Sequence, residues 1–264
     1  MLSTDRRHVV LPAHAYFARS WFDVEQTQVT ETTWHRGSAG AHTASWQGMD
    51  FFSQRPSESF EQALGALPSG MGSFRPSLLA EVAAVDLDGR FNWKLFIENH
   101  VDVLHLWYLH DSTLAGFDHT QFRHQQFGPH WASYEPAVRA DAMAAATPIR
   151  HIDDRDRNGL GAHLLFPDTP MATSSGFFAT YRARPVAPDH TVVELRVFAE
   201  PGAEPEPLVA DITAFIREDI HACERIQEVV RSRHFEVGPL AAIHEAPVVT
   251  FQQNLLALMS GAIL

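Results

Sequence analysis

The sequence predicts an α+β fold. Strand-like segments follow one another in antiparallel-looking runs, helical segments lie between and after those runs instead of alternating with them, and a long amphipathic helix follows the last strand. With 264 residues, 45% hydrophobic and 20% charged, the composition is globular, and one large domain is favoured over two equal ones.

Residues 8–34 read as a short lead and a helix over roughly Ala13 to Thr27, with Tyr16, Trp21 and Val24 as buried positions. Residues 36–47 are small and polar and read as a loop or join. A short helix around Ser59–Leu67 ends at Pro68-Ser69-Gly70, and alternation over Glu81–Leu87 predicts a strand that turns at Asp88-Gly89. Asn92 to Leu109 reads as a helix and Asp111–Pro136 as a long His- and Gln-rich connection, the kind that often forms a functional lid. Three strands follow at Ala162–Phe166, Gly176–Arg182 and Thr191–Ala199, the last two joined as a hairpin through Pro185-Val186-Ala187-Pro188-Asp189. The long helix runs from about Leu208 to Arg233 and is closed by Gly238-Pro239; a final helix covers Val249–Met259.

A net charge of −12 argues against nucleic acid or an anionic membrane as partner. The single cysteine, Cys223, excludes an intrachain disulfide and fits a reducing compartment. The opening Met-Leu-Ser-Thr-Asp-Arg-Arg-His has no apolar leader pattern, and no apolar run approaches ~18 residues, so the expected location is cytoplasmic.

Two helices carry polar groups where a core is expected. At ~100° per residue, Leu208, Ile212, Phe215, Ile216, Cys223, Ile226 and Val230 form one apolar stripe of the long helix. Asp219 lies in the middle of it, whereas Glu218 and His221 point elsewhere. An ionised carboxylate there costs several kcal/mol unless compensated, either by a metal or by a structural ion pair or hydrogen bonds. On the Asn92–Leu109 helix, Glu98, Asn99, Asp102 and His105 share one face of an otherwise apolar element, which predicts an internal cavity or else a solvated stripe. Spacing alone says little among sixteen histidines: His119 and His124 are five apart, as are His105 and His110. Five residues put His105 and His110 ~140° apart on an ideal helix, so both reach one metal only if the helix ends, kinks or bulges between them. Asp102, three residues before His105, is placed to accept a hydrogen bond from the imidazole nitrogen that faces away from a metal.

Asn92-Trp93-Lys94, Glu98-Asn99, Asp102, His105 and His110, with Glu218-Asp219, Glu224 and Gln227 downstream, resemble the catalytic-domain signature of Rieske non-haem iron, ring-hydroxylating oxygenase α subunits. Leu164-Leu165-Phe166-Pro167 and Gly238-Pro239 with Glu245 and Phe251 extend the likeness over about residues 48–264. The resemblance implies a helix-grip (START/Bet v 1-like) fold, a curved antiparallel sheet packed against the long C-terminal helix. It implies mononuclear Fe(2+) held by His105, His110 and Asp219, the facial-triad donor set, with Asp102 as the link to a Rieske-ligating histidine of a neighbouring subunit. Asn99 is a candidate cavity-side donor, and Phe166, Phe177 and Phe178 are candidates for a substrate pocket or for core packing. Where the family usually has Tyr before the first histidine, this chain has Leu104.

A [2Fe–2S] Rieske cluster needs two cysteines and two histidines, and one cysteine cannot supply them. Residues 10–34 resemble the family's segment before the Rieske domain, and residues 36–47 stand where that domain is missing, dividing the chain into 1–47 and a catalytic domain at 48–264. What the resemblance implies is an oxygenase component that hydroxylates or demethylates an aromatic or other small hydrophobic substrate. Electrons come from a Rieske or ferredoxin/reductase protein in another chain, in a homotrimer or mixed hexamer. A metal-dependent lyase, isomerase or hydrolase needing no external electrons, or a non-catalytic subunit, are the other readings.

Overall fold

In the computed structural model, residues 11–110, 113–138, 147–236, 240–241 and 243–260 are described. The strands are β1 (His35–Arg36), β2 (His42–Trp46), β3 (Met49–Ser53), β4 (Ala80–Gly89), β5 (Arg123–Phe127), β6 (His130–Pro136), β7 (Gly159–Leu165), β8 (Thr169–Ser174), β9 (Phe177–Ala187) and β10 (His190–Ala199). The helices are α1 (Arg19–Glu25), α2 (Phe60–Leu64), α3 (Leu67–Gly70), α4 (Trp93–Val101), α5 (Leu106–Leu109), α6 (Asp154–Arg157), α7 (Pro205–Val230) and α8 (Ala246–Met259). No described helix is long and apolar enough to cross a membrane.

Strands β5 to β10 form a sequential antiparallel meander, and β4 completes the seven-stranded sheet beside β10. Because side chains alternate across a strand, the two faces of this sheet build separate cores. On one face Phe177, Tyr181, Val193 and Leu195 meet Phe96 of α4, Ile212 and Ile216 of α7 and Phe251 of α8. On the other, Met171, Phe178 and Phe198 meet Met49, Phe51, Phe60 and Leu67 from the three-stranded sheet β1-β3-β2 and the helices after it. The α+β reading holds: a large antiparallel sheet lies against a long C-terminal helix.

Several local expectations need correction. Residues 36–47 are no loop, since β2 pairs with β3 from His42↔Ser53 to Trp46↔Met49, and the 47/48 division falls in their turn. The stretch 111–136 contains β5 and β6, and β8 lies between the first two expected strands. The N-terminal helix is shorter: a 3-10 turn at Ala13–Tyr16, then α1, then a wide turn over Gln26–Thr30. Ile226, placed on the apolar stripe, is 41% exposed, and Ile220 and Gln227 are buried there instead. The proposed stop at Gly238-Pro239 lies outside the described residues.

Two buried polar clusters fasten the periphery to the core. Asp168, between β7 and β8, accepts hydrogen bonds from His35 Nδ1 (2.7 Å) and Arg182 Nε (2.8 Å), joining the small sheet to the large one. Glu98 Oε1 accepts from the Tyr16 hydroxyl (2.7 Å) and from Gln252 Nε2 (2.8 Å), binding the N-terminal segment and α8 to α4.

Removing the Asp168 carboxylate takes the shortest partner from buried Arg182 and leaves it Glu194 at 3.5 Å and the Arg36 carbonyl at 3.3 Å, so Asp168→Ala is expected to lower stability by ~3 kcal/mol in urea unfolding. Burial raises Glu98 from 4.5 to about 7, against the opposing pull of Tyr16, Gln252 and Lys94. Between those values the folded protein holds a proton that the unfolded chain releases, so stability falls as pH rises through that window. Glu98→Gln is expected to flatten that slope when unfolding is compared at about pH 5 and about pH 7.5.

Candidate metal centre

Helix α4 begins at Asn92, whose side chain caps Lys94 N (3.1 Å), and it buries Trp93, Phe96, Ile97 and Val101. It stops at Asp102, where the backbone turns extended (φ −79°, ψ 132°) and the carboxylate accepts from Leu104 N (2.9 Å) and His105 N (3.2 Å). An aspartate capping free amide donors in this way ends one helix and starts the next turn. That turn, α5, runs from His105 as N-cap to His110 as C-cap, where the backbone has left the helical region (φ −106°, ψ 30°). The interruption brings the two rings onto one side, their centroids 5.3 Å apart and their planes at 74°.

Asp219 meets them from α7. It is 7% exposed, with Ile216, Ile220 and Cys223 buried on the same helix face. His110 Nε2 lies 2.9 Å from Asp219 Oδ1, His105 Nε2 lies 3.7 Å from the same oxygen, and Asn99 Nδ2 donates to it at 2.8 Å. One donor atom from each of His105, His110 and Asp219 falls within 4.8 Å of the other two.

The partners of the far ring nitrogens set the tautomers. His105 Nδ1 is 2.7 Å from the Asp102 main-chain carbonyl, which can only accept, so Nδ1 donates and Nε2 is free on the Asp219 side. The bond foreseen for the Asp102 carboxylate is therefore made by its backbone oxygen; the carboxylate stands 3.9 Å away and is occupied as a cap. His110 Nδ1 donates to Glu218 Oε2 (2.7 Å), which also accepts from Thr113 Oγ1 (2.8 Å). Glu218, expected to point elsewhere, is thus the group that orients His110. Burial pulls His110 down, but the Asp219 and Glu218 carboxylates outweigh it and raise its pKa; His105 is lowered, chiefly by burial.

Cavities lie on two sides of this cluster. The inner one, about 60 Å³, is walled by the cluster, Trp131, Glu135, Tyr181 and Phe215, and it adjoins a cavity of about 300 Å³ with which it shares Leu114, Leu160 and Phe215. Phe177 lines the second of these; Phe166 packs on Phe251 and Phe178 on Phe198, in the core. The outer cavity, about 500 Å³, is reached by Glu98, Asn99, Asp102, His105 and Glu245, so His105 and Asp102 stand in the wall between inside and outside.

A family model described as the ring-hydroxylating alpha subunit (catalytic domain) matches residues 76–261. The chain belongs to this family. No curated protein matches it in sequence. Among solved structures it is similar to the quaternary ammonium Rieske monooxygenase CntA in complex with inhibitor MMV12, with a TM-score of 0.76 at 13% identity over 94% of this chain and 95% of that one. Another structure of a quaternary ammonium Rieske monooxygenase gives 0.68 at 15% identity over 83% of this chain but only 62% of that chain's length. Naphthalene 1,2-dioxygenase from Rhodococcus sp. bound to indole gives 0.61 at 16% identity, covering 84% and 67%. At these identities the likeness is one of fold.

The ring-hydroxylating family uses mononuclear non-haem iron in this domain, and the residues here fit such an ion. Metal–nitrogen bonds of ~2.1 Å put neighbouring ligands roughly 3 Å apart; His110 Nε2 and His105 Nε2 stand 2.9 Å and 3.7 Å from Asp219 Oδ1, so both Nε2 atoms face the carboxylate. The decoy histidines separate: His119 Nδ1 bonds Glu135 Oε2 (2.6 Å), while His124 lies on β5. His100 lines the inner cavity, its Nε2 bonding the His163 carbonyl (2.9 Å) and its Nδ1 the Tyr181 hydroxyl (3.1 Å). Glu218 was legible only as the acidic neighbour of Asp219; no sequence signal distinguished Glu135.

Because Glu218 holds the His110 ring, Glu218→Gln is expected to weaken iron(II) affinity ~10–100-fold without unfolding the chain, as measured by metal titration.

Proposed function

We propose that this chain is the catalytic component of a mononuclear non-haem iron oxygenase that hydroxylates or demethylates an aromatic or other small hydrophobic substrate. Its electrons come from a Rieske or ferredoxin protein in another chain. The observation that carries this reading is the cluster of His105, His110 and Asp219 beside apolar cavities, in a chain whose single cysteine cannot anchor a [2Fe–2S] cluster. Iron(II), when bound by these three side chains, supplies a centre for dioxygen activation with up to three positions open to water, oxygen or substrate.

The chain's own residues perform the remaining tasks. Glu218 and Thr113 fix the His110 ring, and the Asp102 carbonyl fixes that of His105. Asn99 donates to the Asp219 carboxylate and restrains its rotation. Leu114, Leu160 and Phe215 supply apolar wall to the inner cavity beside the cluster. The Asp102 carboxylate, 21% exposed beside the outer cavity, is the entry point for an electron donor seated there. A structural neighbour is described in terms of inter-subunit electron transfer, which supports that assignment.

The same reading makes the sheet and α7 a helix-grip arrangement, residues 48–264 the catalytic domain and 1–47 the remnant preceding it. It places the protein in the cytoplasm as a homotrimer or mixed hexamer. The lack of an internal electron store also favours a second reading, a metal-dependent lyase, isomerase or hydrolase.

Turnover of candidate aromatic substrates with oxygen and a reduced Rieske or ferredoxin partner separates the two. The oxygenase reading expects product only with both, and in Asp102→Asn, which keeps the helix cap and the iron, a loss of ~10-fold or more. Turnover without oxygen, or with zinc in place of iron, contradicts it.

A further inference from the structure

We infer that the substrate carries a protonated amine, received by the Glu135 carboxylate in an aromatic-walled recess beside the metal cluster; this rests on reading that cluster as the reaction centre. Alternation along β6 turns Trp131, Ser133 and Glu135 to the cavity side of the sheet, and Ala162 and Leu160, the β7 partners of Ser133 and Glu135, continue the same floor. Glu135 is 3% exposed. Its Oε2 is held by His119 Nδ1 at 2.6 Å, and its Oε1 has no hydrogen-bond donor among the described residues. Burial raises its pKa while His119 opposes that shift. A buried carboxyl on a cavity-lining side chain, with one oxygen already bonded, is half of a charge-assisted pair.

The walls favour the same ligand. Trp131 stacks with Phe122 at 6.2 Å, and Tyr181 and Phe215 complete an aromatic lining of the sort that attracts cations. Among the described residues no lysine or arginine lines either inner cavity, and Lys94, the chain's one lysine, is buried against Glu25 at 2.6 Å. His100 offers no positive charge, because burial pushes it down to about 4. The adjoining cavity adds a further carboxylate, Asp211. Away from the metal cluster, a substrate carboxylate would meet the Glu135 and Asp211 carboxylates and no lysine or arginine, whereas an ammonium group meets a carboxylate oxygen and ring faces.

Binding of benzylamine, benzyl alcohol and benzoate to the full chain, iron-loaded and metal-free, tests this by ligand-observed NMR titration. Benzylamine is expected to bind about tenfold or more tighter than benzoate. Glu135→Gln, which preserves shape and a contact to His119, is expected to erase that preference while leaving benzyl alcohol binding unchanged; this neutral ligand also reports that the variant is folded. Benzoate binding as well as benzylamine, no saturable benzylamine binding, or an unchanged preference in Glu135→Gln overturns the inference. Iron content measured on the same samples keeps the two readings apart. Iron bound without amine preference removes only this inference, and amine preference without iron binding removes only the metal reading.

Discussion

An ionised carboxylate on the core-facing stripe of a helix must be met by a cation or by hydrogen-bond donors, and the centre of this structure is organised around that requirement. Asp219 is buried along α7 among Ile216, Ile220 and Cys223. What meets it is drawn from one short stretch of chain: the Asn99 amide on α4, and His105 and His110 on either side of α5. A continuous helix would have sent the two imidazoles in different directions. Helix α4 ends at Asp102, which caps the next turn, and the backbone leaves the helical region again at His110, where α5 ends.

Around that centre the polar groups are ordered by what each can exchange. The main-chain carbonyl of Asp102 and the Glu218 carboxylate take the protons of the two Nδ1 atoms, which leaves both Nε2 atoms directed at Asp219. Without a metal, a protonated His110 between two carboxylates balances the buried charge, consistent with its raised pKa. Metal binding would displace that proton, so the same side chains serve two forms of compensation. The wall holding His105 and Asp102 divides an inner space from a larger outer one.

Much of this was legible in the sequence because it follows helical periodicity. The long helix, the misplaced Asp219 and the polar face with Asn99, Asp102 and His105 are all patterns of position on a 3.6-residue turn. Strand β8 was not, because every residue of Thr169–Ser174 is buried and two-sided burial removes the alternation that marks a strand. Strand β6 mixes Trp131, Ser133 and Glu135 on one face with His130, Ala132 and Tyr134 on the other, so hydrophobicity alone hides its period. Strands β1 and β2 are short and, Trp46 apart, made of small or polar residues, which reads as a join. Glu218 was misdirected because a stripe drawn at 100° per residue places it beside the core, yet its side chain is long enough to reach His110 from there. Capping by Asp102 was likewise invisible until the helix break was known.

The most direct measurement is a crystal structure of the iron-loaded protein with anomalous diffraction at the iron edge. The account predicts one peak within coordination distance of both Nε2 atoms and the Asp219 carboxylate, with Glu218 still on His110 Nδ1. A peak elsewhere, or no peak and a direct His110–Asp219 ion pair retained in excess iron, would contradict it.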